Sequence, residues 1–132
     1  MRRPNLQTFR IGDPAALDGG LRIAPTRRPP RGVPKGEWHR YFDVWLPALA
    51  PSPTLFAHAR RLIATEAGWK RYARAYTREM SQTEPRQTIA LLAAVARRTP
   101  IAIGCYCVDE SRCHRSVLRR LIEQSAGGTT SG

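Results

Sequence analysis

Near the C-terminus, Pro100-Ile101-Ala102-Ile103-Gly104-Cys105-Tyr106-Cys107 runs without a charge and with little alternation of polarity. A stretch of that kind reads as a strand buried on both faces. The segment before it opens at Glu84-Pro85 and places Ile89, Leu92, Ala93 and Ala96 on one helical face. The segment after it, from Ser111, does the same with Val117, Leu118, Leu121 and Ile122. A helix, then a continuous apolar strand, then a helix is the order of parallel-sheet proteins. The expected fold class is therefore α/β, a small three-layer sandwich with a few-stranded, mostly parallel central sheet.

The remaining strands are shorter. Thr8-Phe9-Arg10-Ile11 alternates and ends at Gly12-Asp13-Pro14, and Leu21-Arg22-Ile23-Ala24 is a second extended segment. The prolines of the following Pro25-to-Gly32 stretch forbid helix and central strand alike, predicting an exposed, stiff loop that carries Arg27, Arg28 and Arg31. Trp38 to Leu46 reads as a third extended segment with Asp43 as its only acid. Ser52-Pro53 supplies an N-cap and first-turn proline for a helix that Gly68 is expected to end. Trp69, Tyr72, Ala73, Tyr76 and Met80 follow at three-and-four spacing, with Lys70, Arg71, Arg74 and Arg78 on the other faces. That is an amphipathic helix whose aromatic stripe belongs to the core. Residues 1–126 are expected to form one domain and 127–132 a disordered tail.

Several function classes are bounded by composition. The apolar run that ends at Ala96, from Ile89, is far shorter than the roughly 18 residues a membrane span needs. No apolar stretch follows the basic N-terminus, so no signal peptide is read, no membrane partner is expected, and the expected location is cytoplasmic. An odd count of three cysteines without an export signal predicts reduced thiols. The formal charge of +12 points to anionic partners, a small molecule or nucleic acid. Its residue basis, 20 Arg against 2 Lys in an Ala-, Gly- and Pro-rich chain, is also what GC-rich coding produces.

The chemistry concentrates in one segment. In a parallel sheet, ligands bind beyond the carboxyl ends of the strands, where helices present free N–H groups. Cys105 to Arg115 is such a junction: alternation puts Cys105 and Cys107 on one face, and Cys113, His114 and Arg115 fall at the head of the last helix. The helix dipole and neighbouring cations predict a lowered pKa for the Cys113 thiol. Three readings follow. As a nucleophile site, Cys113 is the thiolate, His114 or Asp109 the proton carrier, and Arg115 or Arg112 the clamp. As an anion pocket, Arg112, Arg115 and the Arg27/Arg31 loop hold a phosphate without reacting. As a zinc site, Cys105, Cys107, Cys113 and His114 are suitable donors, but a C-x-C pair on a strand lacks the turn of the usual C-x2-C knuckle, so neither metal nor cofactor is expected. Against all three stands a structural role, in which the cysteines are small buried hydrophobes and His114 and Arg115 cap or pair. A phosphatase loop is not matched, since the sixth residue after Cys107 is Cys113 and Arg112 arrives one position early.

Taken together, Arg27-x-x-Pro30-Arg31-Gly32-Val33, Leu49-Ala50-Pro51-Ser52, Trp69 to Met80 and above all Cys105-x7-Cys113-His114-Arg115 resemble domain-of-unknown-function family 488, with the loop closest to its YeaO-like branch. The resemblance covers nearly the whole chain and implies an α/β fold with a shared site of unknown activity. Two positions depart from the pattern. Thr26 stands where the YeaO-like loop has an acid, and Cys107 where many members have C-x-E, so an acid–base role for either carboxylate does not carry over. The preferred expectation is a Cys-His-Arg site at the head of the last helix that binds or acts on an anionic, phosphate-bearing ligand, with Arg27, Arg31 and Asp43 lining the same cleft. The alternative is a non-catalytic nucleic-acid-binding module that uses its arginine-rich surface.

Overall fold

The computed structural model describes residues 4–13, 20–107 and 109–127. Four strands, β1 (Leu6–Arg10), β2 (Leu21–Ala24), β3 (Val44–Trp45) and β4 (Ile101–Cys105), form one sheet in the order β1-β4-β2-β3, parallel throughout. The uncharged segment is the central strand, and all five residues of β4 are buried. Four α-helices accompany it: α1 (Pro53–Leu62), α2 (Glu66–Met80), α3 (Thr83–Ala96) and α4 (His114–Gly127). The α/β fold with a parallel sheet is thus the observed one. The expected tail lies outside the described residues from 128 onward.

Register decides what each face buries. Leu6 pairs with Ile101, and Ile23 with Ile103, so these four side chains share one face. Against it pack Tyr76 of α2, Ile89 and Leu92 of α3, and Val117, Leu118 and Ile122 of α4. Each fully buried Leu or Ile there contributes roughly 1.5–3 kcal/mol. The opposite face is covered differently. Phe9 lies across Gly104, where an added Cβ would fall 2.4 Å from the ring, so this strand position excludes any larger residue without moving Phe9. Ile11, Ala24 and Phe42 continue that face, covered by Trp38, Tyr41 and Trp45.

Two expected elements are replaced. Trp38 to Leu46 is mostly not strand: Lys35–Arg40 is a 3-10 helix, and only Val44–Trp45 pairs in the sheet. The aromatic side chains explain it, because Trp38 packs on both Phe42 and Trp45, with centroids 6.0 and 5.6 Å away, and its indole N–H donates to the Val33 carbonyl at 3.0 Å. Compact aromatic packing on the back of the sheet takes precedence over extension. Gly68 does not end the first helix. α1 stops at Leu62, Thr65 caps α2 by accepting from the Gly68 N–H at 3.0 Å, and Gly68 lies so close to α1 that a Cβ would fall 2.0 Å from the Leu62 carbonyl oxygen. Among the described residues no helix is long and apolar enough to cross a membrane.

Candidate functional site

The carboxyl ends of β2 and β4 meet the start of α4. After Cys105 the chain passes through Tyr106 and Cys107 to a 3-10 turn at Glu110–Arg112, which Asp109 opens by accepting from the Ser111 N–H at 3.0 Å. The turn is tied down on two sides. Thr8 of β1 donates its hydroxyl to Glu110 at 2.6 Å, and Arg112 donates to the Ile63 carbonyl at 3.0 Å. α4 then starts at His114, which sends Cys113 and His114 inward at 2 % and 6 % exposure.

Three thiols and one imidazole converge there. Cys107 Sγ is 3.6 Å from Cys105 Sγ, and His114 Nδ1 lies 4.0 Å from Cys105 Sγ and 3.9 Å from Cys113 Sγ. His114 Nε2 is 2.7 Å from the Pro25 carbonyl oxygen. A carbonyl only accepts, so Nε2 carries the proton and a neutral ring presents the bare Nδ1 to the sulfurs. Tyr76 stacks edge-on against that ring at 5.4 Å and is itself held by its hydroxyl donating to the Leu49 carbonyl at 2.7 Å. Burial pushes the His114 pKa down, so the neutral ring is favoured.

The three thiols are not held alike. Hydrogen bonds from Cys105 and Cys113, reinforced by the nearby Arg115, hold Cys107 well below the usual thiol range. Its two neighbours donate to it and remain thiols: Cys105 is pushed up to about 11, and Cys113 further. The expected low-pKa thiol at Cys113 is therefore reversed. Burial and two adjacent sulfurs outweigh the helix dipole there, whereas Cys107 is half-buried and keeps access to water.

Arg115 is the cation beneath. It is 3 % exposed and donates from Nη1 to the Cys105 and Cys107 carbonyls at 3.1 and 3.0 Å, while its Nε is buried without a hydrogen-bond partner. No carboxylate pairs with it among the described residues. A guanidinium in a first turn also sits at the positive end of the helix dipole, so this corner is strongly electropositive.

Above the sulfurs lies a cavity of about 110 Å³. Cys105, Cys107 and His114 meet it from β4, the following turn and α4, Thr26, Arg27 and Arg28 from the loop after β2, and Phe56 and Tyr72 from α1 and α2. No acid lines it. Arg27 is oriented by donating to the Pro51 carbonyl from Nε and Nη2 at 3.2 and 3.1 Å, and Arg28 lies 5.6 Å above the Phe56 ring. The loop after β2 is thus less exposed than its prolines suggest, with Pro25 and Thr26 buried. The Tyr72 hydroxyl makes no hydrogen bond to a described residue. Burial first, and then the neighbouring thiols, push its pKa up, so it stays a neutral donor.

The remaining sequence candidates lie elsewhere. Cys113 and Arg115 support the cavity from below without lining it. Asp43 is level with Arg22 rather than with the strand ends, and accepts from the Arg22 N–H at 2.8 Å and guanidinium at 3.2 Å, which makes it a structural partner. Arg112 is occupied by Ile63 and Glu66, Asp109 by Ser111, and Arg31 is exposed outside the cavity. Tyr72 and Phe56 are not candidates from sequence, and Arg28 enters there only as a member of the loop's arginine cluster. Helical periodicity assigns Tyr72 to the core, and nothing local marks a core tyrosine whose hydroxyl is left over. Thr26 and Cys107, the two positions that depart from the pattern described above, both line the cavity.

Cys105, Cys113 and His114 also have the donor types and the proximity to hold a metal ion, their ligand atoms all lying within 4.8 Å of one another. Comparison with known proteins gives one family model, described as the active DUF488-N3 subclade, which matches residues 6–126. No curated protein and no solved structure matches.

Proposed function

The chain belongs to the DUF488 family, in the N3 subclade, and on that premise we propose that it binds a small phosphate-bearing anion in the 110 Å³ cavity and acts on it with the Cys107 thiolate. The observation that carries this reading is a cavity with two arginines at its wall, a sulfur at its floor and no acid among the described residues that line it. A cavity of this volume accommodates one phosphoryl or carboxylate group, and the rest of a larger ligand would extend past Phe56 and Tyr106, both exposed. Arg27 is held by proline carbonyls, so little side-chain entropy is lost when an anion binds. Arg28 supplies the second positive charge. The Pro25 carbonyl fixes the His114 ring with its proton on Nε2, so that Nδ1 stays directed at the sulfurs. Tyr72 supplies a neutral donor to the ligand. The description of the subclade as active favours chemistry over binding alone.

Paired alkylating agents test both halves at once. In metal-free, reduced protein, Cys107 is expected to react fastest of the three thiols, and iodoacetate should gain about tenfold over neutral iodoacetamide relative to a free thiol, the equivalent of one favourable charge interaction of about 1.4 kcal/mol. Arg27→Ala should erase that gain, and inorganic phosphate should protect the wild type. Equal, slow labelling of all three thiols, indifferent to phosphate, would sink the reading.

A second reading is favoured by one surface feature. Arg60 and Arg61 of α1 and Lys70, Arg71 and Arg74 of α2 are exposed on the helices that contribute Phe56 and Tyr72 to the cavity, so a nucleic acid strand is the alternative anionic partner. Its affinity would fall steeply with salt, with a log–log slope near the number of phosphates contacted, whereas a single held anion gives a slope of about one.

A further inference from the structure

We propose that Cys105, Cys113 and His114 Nδ1, with Cys107 as the fourth donor, form a binding site for a thiophilic divalent ion of the zinc class at the floor of the cavity. The inference does not rest on the anionic-ligand reading: Arg27 and Arg28 face the cavity whether or not an ion lies beneath it, and the Cys107 chemistry of that reading belongs to the metal-free protein.

The spacing comes first. Metal–sulfur bonds of about 2.3 Å and metal–nitrogen bonds of about 2.0–2.1 Å at tetrahedral angles place sulfurs about 3.8 Å apart and sulfur and nitrogen about 3.6 Å apart. The observed separations are 3.6 Å between the Cys105 and Cys107 sulfurs, and 4.0 and 3.9 Å from the Cys105 and Cys113 sulfurs to His114 Nδ1. Cys105, Cys113 and His114 Nδ1 thus already stand near coordination distance, all within 4.8 Å of one another, and Cys107, next to Cys105 but outside that group, would complete the set by turning its side chain inward. The imidazole is also prepared for coordination. Metal-bound histidines direct their other N–H to a backbone carbonyl or carboxylate, which fixes the tautomer. The Pro25 carbonyl, 2.7 Å from Nε2, does that here and leaves the Nδ1 lone pair facing the sulfurs.

Charge is the third observation. Three thiolates, a neutral imidazole and a divalent ion sum to one negative charge, and a buried guanidinium without a carboxylate partner is the complement such a centre needs. Arg115 is that group, anchored on the carbonyls of two of the cysteines. The strand spacing that disfavours a zinc knuckle no longer applies, because the ion would not be gripped by one turn. It would tie β4 to the head of α4, with Cys105 and Cys107 on one side and Cys113 and His114 on the other.

Cobalt(II) added to the reduced full chain tests this. We expect one ion per chain with the intense charge-transfer and visible bands of tetrahedral thiolate coordination, and their loss in Cys113→Ser. Zinc added to the wild type should raise the unfolding temperature and protect all three thiols together from alkylation, a readout that remains if Cys113→Ser fails to fold. Absence of bands with all thiols reduced, bands that persist undiminished in Cys113→Ser, or zinc protection confined to Cys107 would each overturn the proposal. Failure of the anion reading shows separately, as loss of the iodoacetate preference in metal-free protein.

Discussion

Tyr72 and Tyr76 stand one turn apart on α2, both at most 3 % exposed, and they differ in one respect that can be measured. The Tyr76 hydroxyl donates to the Leu49 carbonyl at 2.7 Å, and Leu49 is itself fully buried. Tyr76→Phe removes one oxygen, leaves the ring against His114, and strands that carbonyl without water or partner. A buried acceptor left unsatisfied costs about 1–3 kcal/mol. With an unfolding entropy of roughly 2.1 cal/mol/K per residue, a chain of this size should lose about 4–11 °C in Tm. Tyr72→Phe removes a hydroxyl that makes no hydrogen bond to a described residue, so its stability change should stay within about 0.5 kcal/mol. Urea unfolding of both variants beside the wild type, with m-values compared, is the assay. If Tyr76→Phe costs less than Tyr72→Phe, the hydrogen-bond reasoning for this helix is wrong. Anion binding should show the opposite ranking: Tyr72→Phe weakens protection by phosphate at Cys107, and Tyr76→Phe leaves it unchanged.

Three further outcomes follow from the packing. Asp43→Ala deprives Arg22, 8 % exposed, of its carboxylate, and should cost about 1–3 kcal/mol near neutral pH. Burial opposes ionisation of Asp43, but the hydrogen bonds and charge of Arg22 prevail and hold its pKa below the usual carboxylate value. That stabilisation is complete above the unfolded value of about 4 and is lost as pH falls through the lower folded one, so wild-type and variant stabilities should converge in acid; a gap that stays constant refutes it. Gly68→Ala forces a Cβ against the Leu62 carbonyl, so α1 must move from α2, costing about 1–3 kcal/mol and opening the Phe56 side of the cavity; unchanged denaturation and unchanged Cys107 labelling would count against it. Gly104→Ala should be destabilising only to the extent that Phe9 cannot swing away, and Phe9→Ala in the same chain should recover part of the loss, as a double-mutant cycle would show.

How much of this was legible beforehand depends on how local each cause is. β2 matches the predicted Leu21–Ala24 residue for residue, and β4 lies within the predicted uncharged stretch, because alternation and lack of charge are written in adjacent residues. α2 and α3 follow from their apolar spacing. The segment around Trp38 was misread because its aromatic residues satisfy one another in a local cluster, a tertiary preference that strand propensity does not contain. The break between α1 and α2 carried a signal, Thr65 before Glu66 as a cap and first-turn acid, which the more conspicuous Gly68 obscured. At the site, the position of the thiols was readable but their ranking was not. Which sulfur takes the charge depends on burial and on hydrogen bonds between strand and helix, and these exist only once both are in place. Tyr72 was hidden for a related reason, since a stripe pattern says which side chains are buried but not whether their polar ends find a partner.

The strand order carries a kinetic meaning of its own. β4 sits between β1 and β2, yet it is synthesised last of the four, and β1 pairs with it in the register Leu6 to Ile101. A nascent chain emerging from the ribosome can pair β2 with β3 and form its first helices, but the β1–β4 pairing waits until the final third of the chain is released. Closing a loop of that length before any reward arrives is the slow event in parallel folds. The three cysteines travel with the strand that ends the wait, so sheet closure and assembly of the sulfur cluster are one step. Shielding of Cys113 from alkylation during refolding would then time the completion of the whole sheet.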